Sequence, residues 1–248
     1  MSGQFDANKW RAFYEHDAGK IGRELAYKRL DIVFRKLNKF LKKKKDVKRV
    51  LDIGISDGYL MKRMVDIGVI VYGMDISYSM IRLARNNFST SEKGALFMQG
   101  SITHLPFADS SFDAITACEV LEHLDENNFL QAIKELKRIL VTGGGLFITT
   151  PYNENIMDSI VKCPECGSIF PTTGHYSNFD EKKWQSLASD FNFSRIDIKK
   201  IYGTDFRLKK FRFLTPLIRL AARLFSVDSL TKMFVIVKKN GSFGENKA

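Results

Sequence analysis

The stretch from residue 49 to residue 58 constrains the fold of this chain more than any other part of it. Arg49–Ile53 has the length and apolar content of a short buried strand, and the pattern breaks at Gly54. Gly58 then opens a second apolar stretch, 58–67, with the spacing of a helix. A strand, a glycine turn and a helix in this order predict an open α/β sheet, in which ligands lie at the carboxyl ends of the strands.

Strand and helix patterns alternate along the rest of the chain. Strands are predicted at 69–74, 95–99, 112–118, 146–150, 194–201 and 233–239, and helices at 21–41, 77–88, 127–140, 181–191 and 206–225. The glycine triplet 143–145 is expected to end the helix that precedes strand 146–150. Strands that alternate with helices predict a parallel sheet with right-handed crossovers.

The same patterns suggest how the chain is divided. We predict an N-terminal helical segment at 1–45, one continuous domain at 46–240 and a disordered tail at 241–248. Insertions into this domain are predicted at 152–180, where the sequence becomes loop-like, and at 203–231.

The charge balance restricts the partners of the chain. It has 39 Lys and Arg residues against 28 Asp and Glu, a formal net charge of +11. Such an excess favours polyanions, either nucleic acid or an anionic membrane surface, although a solvated basic face gives the same composition. No apolar run approaches the roughly 20 residues of a membrane span, the first residues lack an apolar signal core, and the three cysteines do not make a disulfide framework. We therefore expect a cytoplasmic protein.

Six motifs follow one another between about residue 45 and residue 150. They are Leu51-Asp52-Ile53-Gly54, Gly73-Met74-Asp75-Ile76-Ser77, His104-Leu105-Pro106-Phe107, Ser110-Ser111-Phe112-Asp113, Glu119-Val120-Leu121-Glu122-His123-Leu124 and Ile139-Leu140-Val141-Thr142-Gly143-Gly144-Gly145. In identity, order and spacing they resemble the motifs of class I S-adenosylmethionine-dependent methyltransferases, specifically the type 11 and type 23 groups. The resemblance implies a doubly wound, seven-stranded, mostly parallel, Rossmann-like sheet with an antiparallel C-terminal strand, and S-adenosylmethionine as cofactor.

The resemblance also implies the cofactor-binding residues. They are Asp52, Gly54, Ser56, Gly58, Asp75, Ile76, Ser101, Ile102 and Cys118. Asp75 would hold the ribose hydroxyls, a role that a carboxylate after the second strand also has in dinucleotide folds. Ile76 and Ile102 would contact the adenine, whereas Gly54 and Gly58 would line the methionine part. Ser56 replaces the usual glycine and Ser101 a common aspartate, so we expect adjusted contacts there.

A cluster of acidic and imidazole side chains follows the fourth predicted strand. Glu119, Glu122 and His123 lie close together in sequence, and His175 is a fourth candidate. They could bind a divalent ion such as Mg²⁺, Mn²⁺ or Zn²⁺, which would lower the pKa of a substrate hydroxyl. Without a metal, His123 could act as a general base. A third alternative is that the two glutamates only orient the cofactor and a helix.

The cluster resembles that of two groups of methyltransferases. One group comprises the ubiquinone-pathway O-methyltransferases, and the other the 2′-O-methyltransferases of small-RNA 3′ ends. In the RNA enzymes a further histidine follows the Thr-Thr-Pro segment, and here His175 follows Thr149-Thr150-Pro151. The resemblance therefore implies a substrate with adjacent hydroxyls.

Two cysteines, Cys163 and Cys166, have the spacing of half a zinc site. A structural tetrahedral site needs two more ligands, and His175 is one candidate, with Asp158 or Asp180 as the other. Otherwise both thiols are simply reduced. His175 is a candidate for both sites, and one imidazole does not easily serve both.

Residues 206–225 are basic and apolar without an acidic residue. Such a segment suits a helix that lies on an anionic membrane surface, or a lid whose apolar face packs on the sheet. Our main functional hypothesis is O-methylation of a small molecule, including lipids, with adjacent hydroxyls. The alternatives are an RNA ribose 2′-O-methyltransferase and a non-catalytic protein that binds the adenosyl group. The oligomeric state does not follow from the sequence.

Overall fold

A computed structural model describes residues 20–44, 48–88, 93–163, 166–201 and 232–239. The chain divides between Leu105 and Pro106 into two compact units. The predictions for most of the N-terminal segment, for the insertion at 203–231 with its basic stretch 206–225, and for the tail lie outside the described residues. Among the helices of the described ranges, none is long and apolar enough to cross a membrane.

The first unit consists of a parallel sheet and its helices. Its elements are α1 (Lys20–Leu41), β1 (Arg49–Ile53), α2 (Tyr59–Val65), β2 (Ile70–Asp75), α3 (Tyr78–Asn86) and β3 (Ala95–Gln99). The strands are hydrogen-bonded in the order β3-β2-β1, and all pairs are parallel. Four of the five residues of β1 are buried, which explains why this strand is almost continuously apolar. The carboxyl ends of the three strands therefore lie along one edge of this sheet.

The second unit contains a mixed sheet. Its main elements are β4 (Phe112–Cys118), α4 (Glu126–Ile139), β5 (Leu140–Pro151), β6 (Ile160–Lys162), β7 (Ile169–Pro171), α5 (Glu181–Asp190), β8 (Phe193–Ile201) and β9 (Lys232–Lys239), with 3₁₀ turns at Leu121–His123 and Ile156–Ser159. The strand order is β4-β5-β9-β8, and among the described strands β6 pairs only with β7. β4 and β5 are parallel, whereas β9 runs antiparallel to both β5 and β8.

The predicted α/β class, with its mostly parallel sheet and an antiparallel final strand, is confirmed. Two local predictions are wrong. The first concerns the glycine triplet, which lies inside β5 instead of between a helix and a strand. The register between β4 and β5 shifts at this point, as in a β-bulge. A Cβ atom on Gly144 would lie 2.7 Å from the carbonyl oxygen of Val141, so only glycine allows the strand to continue here.

The second concerns residues 152–180, which were predicted as loop and include the antiparallel pair β6–β7. Each of these strands is only three residues long, which is too short for the hydrophobic pattern to identify it.

Candidate active site

The loop after β1 has an unusual backbone. Gly54, Ser56 and Gly58 have positive φ angles of 72°, 51° and 81°. The amide of Gly54 donates to the carbonyl of Met74 at 2.8 Å, and the amide of Gly58 donates to Ile55 at 2.8 Å. The loop therefore turns tightly against the end of β2. Serine at position 56 is accepted in a conformation that glycine adopts more readily.

Asp75 ends β2 and contacts this loop. Its carboxylate accepts hydrogen bonds from the amide of Ser77 at 2.9 Å and from the amide of Ser56 at 3.3 Å. Burial raises the pKa of Asp75 above its usual range, and the backbone amides of Ser77, Ser56 and Ile76 partly offset this effect. A half-buried carboxylate beside a glycine loop is suited to accept hydrogen bonds from the hydroxyls of a ligand.

The other predicted cofactor-binding residues of the first unit also lie at this edge of the sheet or next to it. Asp52 is buried within β1. The side chain of Ile76 is 43% exposed directly after Asp75, where an apolar group is available to a ligand. Ile102 is buried, and the hydroxyl of Ser101 forms a hydrogen bond with that of Thr103 at 2.8 Å. Cys118 belongs to the second unit, where it ends β4.

Sequence reasoning missed a contact between α1 and the glycine loop. The hydroxyl of Tyr27 donates to the carboxylate of Asp57, and the Tyr27 ring stacks on Tyr59 with 4.1 Å between ring centroids. Asp57 also accepts from the amide of Tyr59, and its carbonyl accepts from the side-chain amide of Asn87 at 2.9 Å. Three elements of the first unit thus hold the loop. Nothing in the spacing of Tyr27 indicates this contact.

The backbone at Gly58 leads to a testable difference between two glycines. A Cβ atom at position 58 would lie 3.0 Å from the Phe88 ring and 3.2 Å from Ala84 Cβ. Gly68 has a similar φ of 78°, but no atom of the described residues lies within 4 Å of a Cβ atom there. We expect Gly68→Ala to cost about 1 kcal/mol through the backbone alone and Gly58→Ala about 2–3 kcal/mol, because the second adds a clash. Urea unfolding of both variants measures the difference, and equal losses would contradict the packing argument.

In the second unit, three candidate residues come together. The possible ligand atoms of Glu122, His123 and His175 lie within 4.8 Å of one another. Glu122 is completely buried, and the rings of His123 and His175 are 4.9 Å apart between centroids at 67°. Such a carboxylate and two imidazoles can take up a proton or hold a cation.

Hydrogen bonds to main-chain carbonyls explain why residues so distant in sequence meet. The carbonyl of Glu122 accepts from the amides of Tyr176 and Ser177 at 2.7 and 3.1 Å. His123 Nδ1 lies 3.0 Å from the carbonyl oxygen of Gly174, and Ser177 Oγ donates to the carbonyl of Leu124 at 2.9 Å. The segment 174–177 is therefore fixed along the 3₁₀ turn that carries Glu122 and His123.

An aromatic cluster anchors the segment from its other end. Phe179 stacks on Trp184 with 5.3 Å between centroids, and Phe129 of α4 contacts both rings. All three side chains are almost completely buried. The next residue, Asp180, caps α5 by accepting from the amide of Lys183 at 2.7 Å.

Glu119 stands apart from the group of three potential ligands. It has a positive φ of 56°, and its amide donates to the carbonyl of Thr149 at 2.9 Å. Sequence reasoning placed Glu119 with Glu122 and His123, and it missed Glu154, whose carboxylate lies 2.5 Å from His175 Nδ1. Glu154 follows a strand without any pattern that could have identified it.

The cysteine pair lies on the hairpin formed by β6 and β7. The amide of Cys163 donates to the carbonyl of Ser168 at 2.8 Å, and the Cys166 thiol donates to the hydroxyl of Ser168 at 3.1 Å. Across the described ranges, the group of three or more potential metal ligands contains His175 but neither cysteine. In the structure His175 therefore lies with Glu122 and His123 and not with the two cysteines.

Comparison with known proteins identifies the matched part of the chain. Residues 51–148 match the family model described as a methyltransferase domain. A ubiquinone biosynthesis O-methyltransferase of Coxiella burnetii is 33% identical over 103 residues, which cover 42% of this chain and 43% of that protein. A demethylmenaquinone methyltransferase of Renibacterium salmoninarum is 27% identical over 172 residues, 62% of this chain and 70% of that protein. The chain thus matches less than half of the length of the first of these relatives.

A solved structure has the same fold. Phosphoethanolamine N-methyltransferase 2 of Haemonchus contortus, in complex with S-adenosyl-L-methionine, superposes with a TM-score of 0.63 at 16% identity, covering 96% of this chain and 61% of that one. Together with the family match, this establishes the Rossmann-like α/β fold of such enzymes. Residues 51–148 therefore carry a methyltransferase domain, and the similarity of this part of the chain supports a class I S-adenosylmethionine-dependent methyltransferase.

Proposed function

We propose that this protein transfers the methyl group of S-adenosylmethionine to a hydroxyl oxygen of a small molecule with adjacent hydroxyls. The observation that carries the proposal is the group formed by Glu122, His123 and His175, whose possible ligand atoms lie within 4.8 Å of one another. Two imidazoles beside a buried carboxylate suit an acceptor that must lose a proton. The similarity to a ubiquinone biosynthesis O-methyltransferase is in line with a hydroxyl acceptor.

The residues of the first unit fit the cofactor. Asp75 is a half-buried carboxylate that already accepts two amide hydrogen bonds, and Ile76 presents an exposed apolar side chain next to it. We assign the ribose hydroxyls to Asp75 and the adenine to Ile76, because these groups match in polarity. When bound, S-adenosylmethionine supplies an electrophilic methyl group on a sulfonium sulfur.

The residues of the second unit would prepare the acceptor. A hydroxyl is a weak nucleophile at neutral pH, so removal of its proton during the transfer lowers the barrier. In neutral His123, donation from Nδ1 to the carbonyl of Gly174 leaves the lone pair on Nε2, which can accept that proton. The buried carboxylate of Glu122 would stabilise the resulting imidazolium, because opposite charges attract strongly where water is excluded.

The same residues also fit a divalent ion. One carboxylate and two imidazoles are a donor set that suits Zn²⁺ or Mn²⁺ better than Mg²⁺. The carboxylate of Glu154 on His175 is the kind of outer partner that metal-bound histidines have. A bound ion would lower the pKa of a coordinated hydroxyl. The half-site at Cys163 and Cys166 would be a separate zinc position.

Two other functions remain as alternatives. The net charge of +11 favours RNA, whose terminal ribose also carries adjacent hydroxyls. A non-catalytic protein that binds the adenosyl group would need the cofactor-binding residues but not the group of Glu122, His123 and His175. We further propose that residues 206–225, which lie outside the described residues, contact anionic membrane and deliver lipidic acceptors.

An acceptor panel with labelled S-adenosylmethionine tests the proposal. The panel contains soluble catechols, the same catechols with prenyl tails in anionic vesicles, short single-stranded RNA and primary amines, each with and without EDTA. We expect label on a catechol oxygen, and an EDTA-sensitive rate would assign the metal. Label on the RNA 3′ ribose would select the RNA alternative, and label on amines alone would contradict hydroxyl transfer.

A further inference from the structure

The two histidines of the cluster are held by different partners. His123 Nδ1 lies 3.0 Å from a carbonyl oxygen, that of Gly174. His175 Nδ1 lies 2.5 Å from a carboxylate oxygen, that of Glu154. Both partners accept hydrogen bonds and do not donate them, so each neutral ring carries its proton on Nδ1. The lone pair is then on Nε2 in both rings.

The residues on both sides of Glu154 are held by hydrogen bonds. The amide of Asn153 donates to the carbonyl of Phe179 at 2.8 Å, which ties this stretch to the buried aromatic cluster. The side chain of Asn155 caps the next 3₁₀ turn by accepting from the amide of Met157 at 3.3 Å. The Glu154 side chain is 24% exposed and that of His175 is 14% exposed, so the pair is shielded from most water. A shielded, charge-assisted hydrogen bond fixes geometry better than an exposed one.

We propose that Glu154 is a positioning residue for methyl transfer, because its carboxylate locks His175 in the Nδ1–H tautomer and makes Nε2 the nitrogen that accepts a hydrogen bond from the acceptor, next to His123, which takes the proton. Without this partner, the neutral ring would exchange between two tautomers and rotate about its side-chain bonds. Only part of the molecules would then present the lone pair in the required direction. The effect on turnover rests on the proposed function, whereas the effect on the tautomer does not.

The roles of the charge and of the hydrogen bond can be separated by two substitutions. In Glu154→Gln the amide oxygen still accepts from Nδ1, so the tautomer is kept but the negative charge is lost. In Glu154→Ala both are lost. Glu126→Ala is the matched control, because Glu126 is 65% exposed and its ion pair with Lys183 spans 3.4 Å.

The experiment has two readouts. The ¹⁵N shifts of His175, measured in the full-length protein, identify the protonated nitrogen without any substrate. We expect Nδ1–H in the wild type and in Glu154→Gln, and a mixture of tautomers in Glu154→Ala. In turnover with the acceptor found by the panel, we expect kcat to fall about 10- to 100-fold in Glu154→Ala, less in Glu154→Gln, and not at all in Glu126→Ala. The KM for S-adenosylmethionine should be unchanged in all three, and added formate should restore part of kcat in Glu154→Ala.

The outcomes separate the two proposals. A protonated Nε2 in the wild type, or an unchanged tautomer in Glu154→Ala, overturns the role of Glu154. The positioning role would also be overturned if Glu154→Gln lost as much kcat and as much thermal stability as Glu154→Ala and formate did not restore activity. The role of Glu154 would then be structural. If no hydroxyl acceptor is methylated by the wild type, the proposed function fails, and the ¹⁵N measurement still decides the role of Glu154.

Discussion

Replacing His123 with asparagine should lower kcat about 10²- to 10⁴-fold and leave the affinity for S-adenosylmethionine unchanged. The side-chain amide of asparagine lies where Nδ1 lies in histidine, so it can still donate to the carbonyl of Gly174 and keep the 174–177 segment in place. It offers nothing at the position of Nε2. The loss would therefore measure the chemistry of the ring and not the order of the loop.

Two comparisons make this prediction decisive. His123→Ala also removes the donor to Gly174, so any further loss of activity in that variant reports on loop order. Calorimetry with S-adenosylhomocysteine checks that cofactor binding persists in both variants. Turnover of His123→Asn at the wild-type rate would show that no proton or metal is handled at this position.

Replacing Asp75 with alanine should have the second large effect. If its carboxylate accepts both ribose hydroxyls, the loss of two charge-assisted hydrogen bonds costs about 2–4 kcal/mol, or a loss of affinity of about 30- to 1,000-fold. Titration calorimetry with S-adenosylmethionine measures this directly. Asp66→Ala is a suitable control, because Asp66 is exposed and directly follows α2. Unchanged affinity in Asp75→Ala would refute the assignment.

The pH dependence of binding gives an independent check on Asp75. Burial raises its pKa, so the carboxylate of the free protein takes up a proton at a higher pH than an ordinary aspartate does. The affinity for the cofactor should be highest at pH values above this raised pKa and should fall as the pH decreases through it. The decline should disappear in Asp75→Asn, which cannot ionise. The stability of the unliganded protein should depend on pH in the opposite direction. Because the pKa of Asp75 is higher in the folded than in the unfolded chain, the free energy of unfolding decreases as the pH rises from the unfolded to the folded pKa.

The sequence was most informative where a residue acts through its own backbone or through a regular pattern. The strand that ends at Gly54 and the carboxylate of Asp75 after β2 could be predicted, because hydrophobic pattern and glycine directly limit the backbone. The prediction for the glycine triplet was wrong, because a β-bulge and the end of a helix both favour glycine for the same conformational freedom. Only the pairing of this segment with a neighbouring strand distinguishes a β-bulge from a helix end.

The group formed by Glu122, His123 and His175 was predicted only in part. His123 and His175 could be named as candidates from motif resemblance, but their meeting depends on hydrogen bonds between 121–124 and 174–177. Such main-chain contacts leave no trace in residue types. Glu154 could not be found at all, because its role depends on the position of His175.

The long loop closed by the His123–Gly174 hydrogen bond also has a consequence for local stability. The two residues are 51 positions apart, and the described part of the chain between residues 152 and 173 forms a 3₁₀ turn and two three-residue strands. We expect residues 152–177 to open as a subglobal unit while the first unit stays folded. In such a state His175 would leave His123, yet Asp75 and the glycine loop would be intact. The amides of Tyr176 and Ser177, both bonded to Glu122, are protected from hydrogen exchange only while the cluster is assembled. Their exchange rates should therefore report the fraction of molecules in which this cluster is assembled, separately from the fraction that is folded.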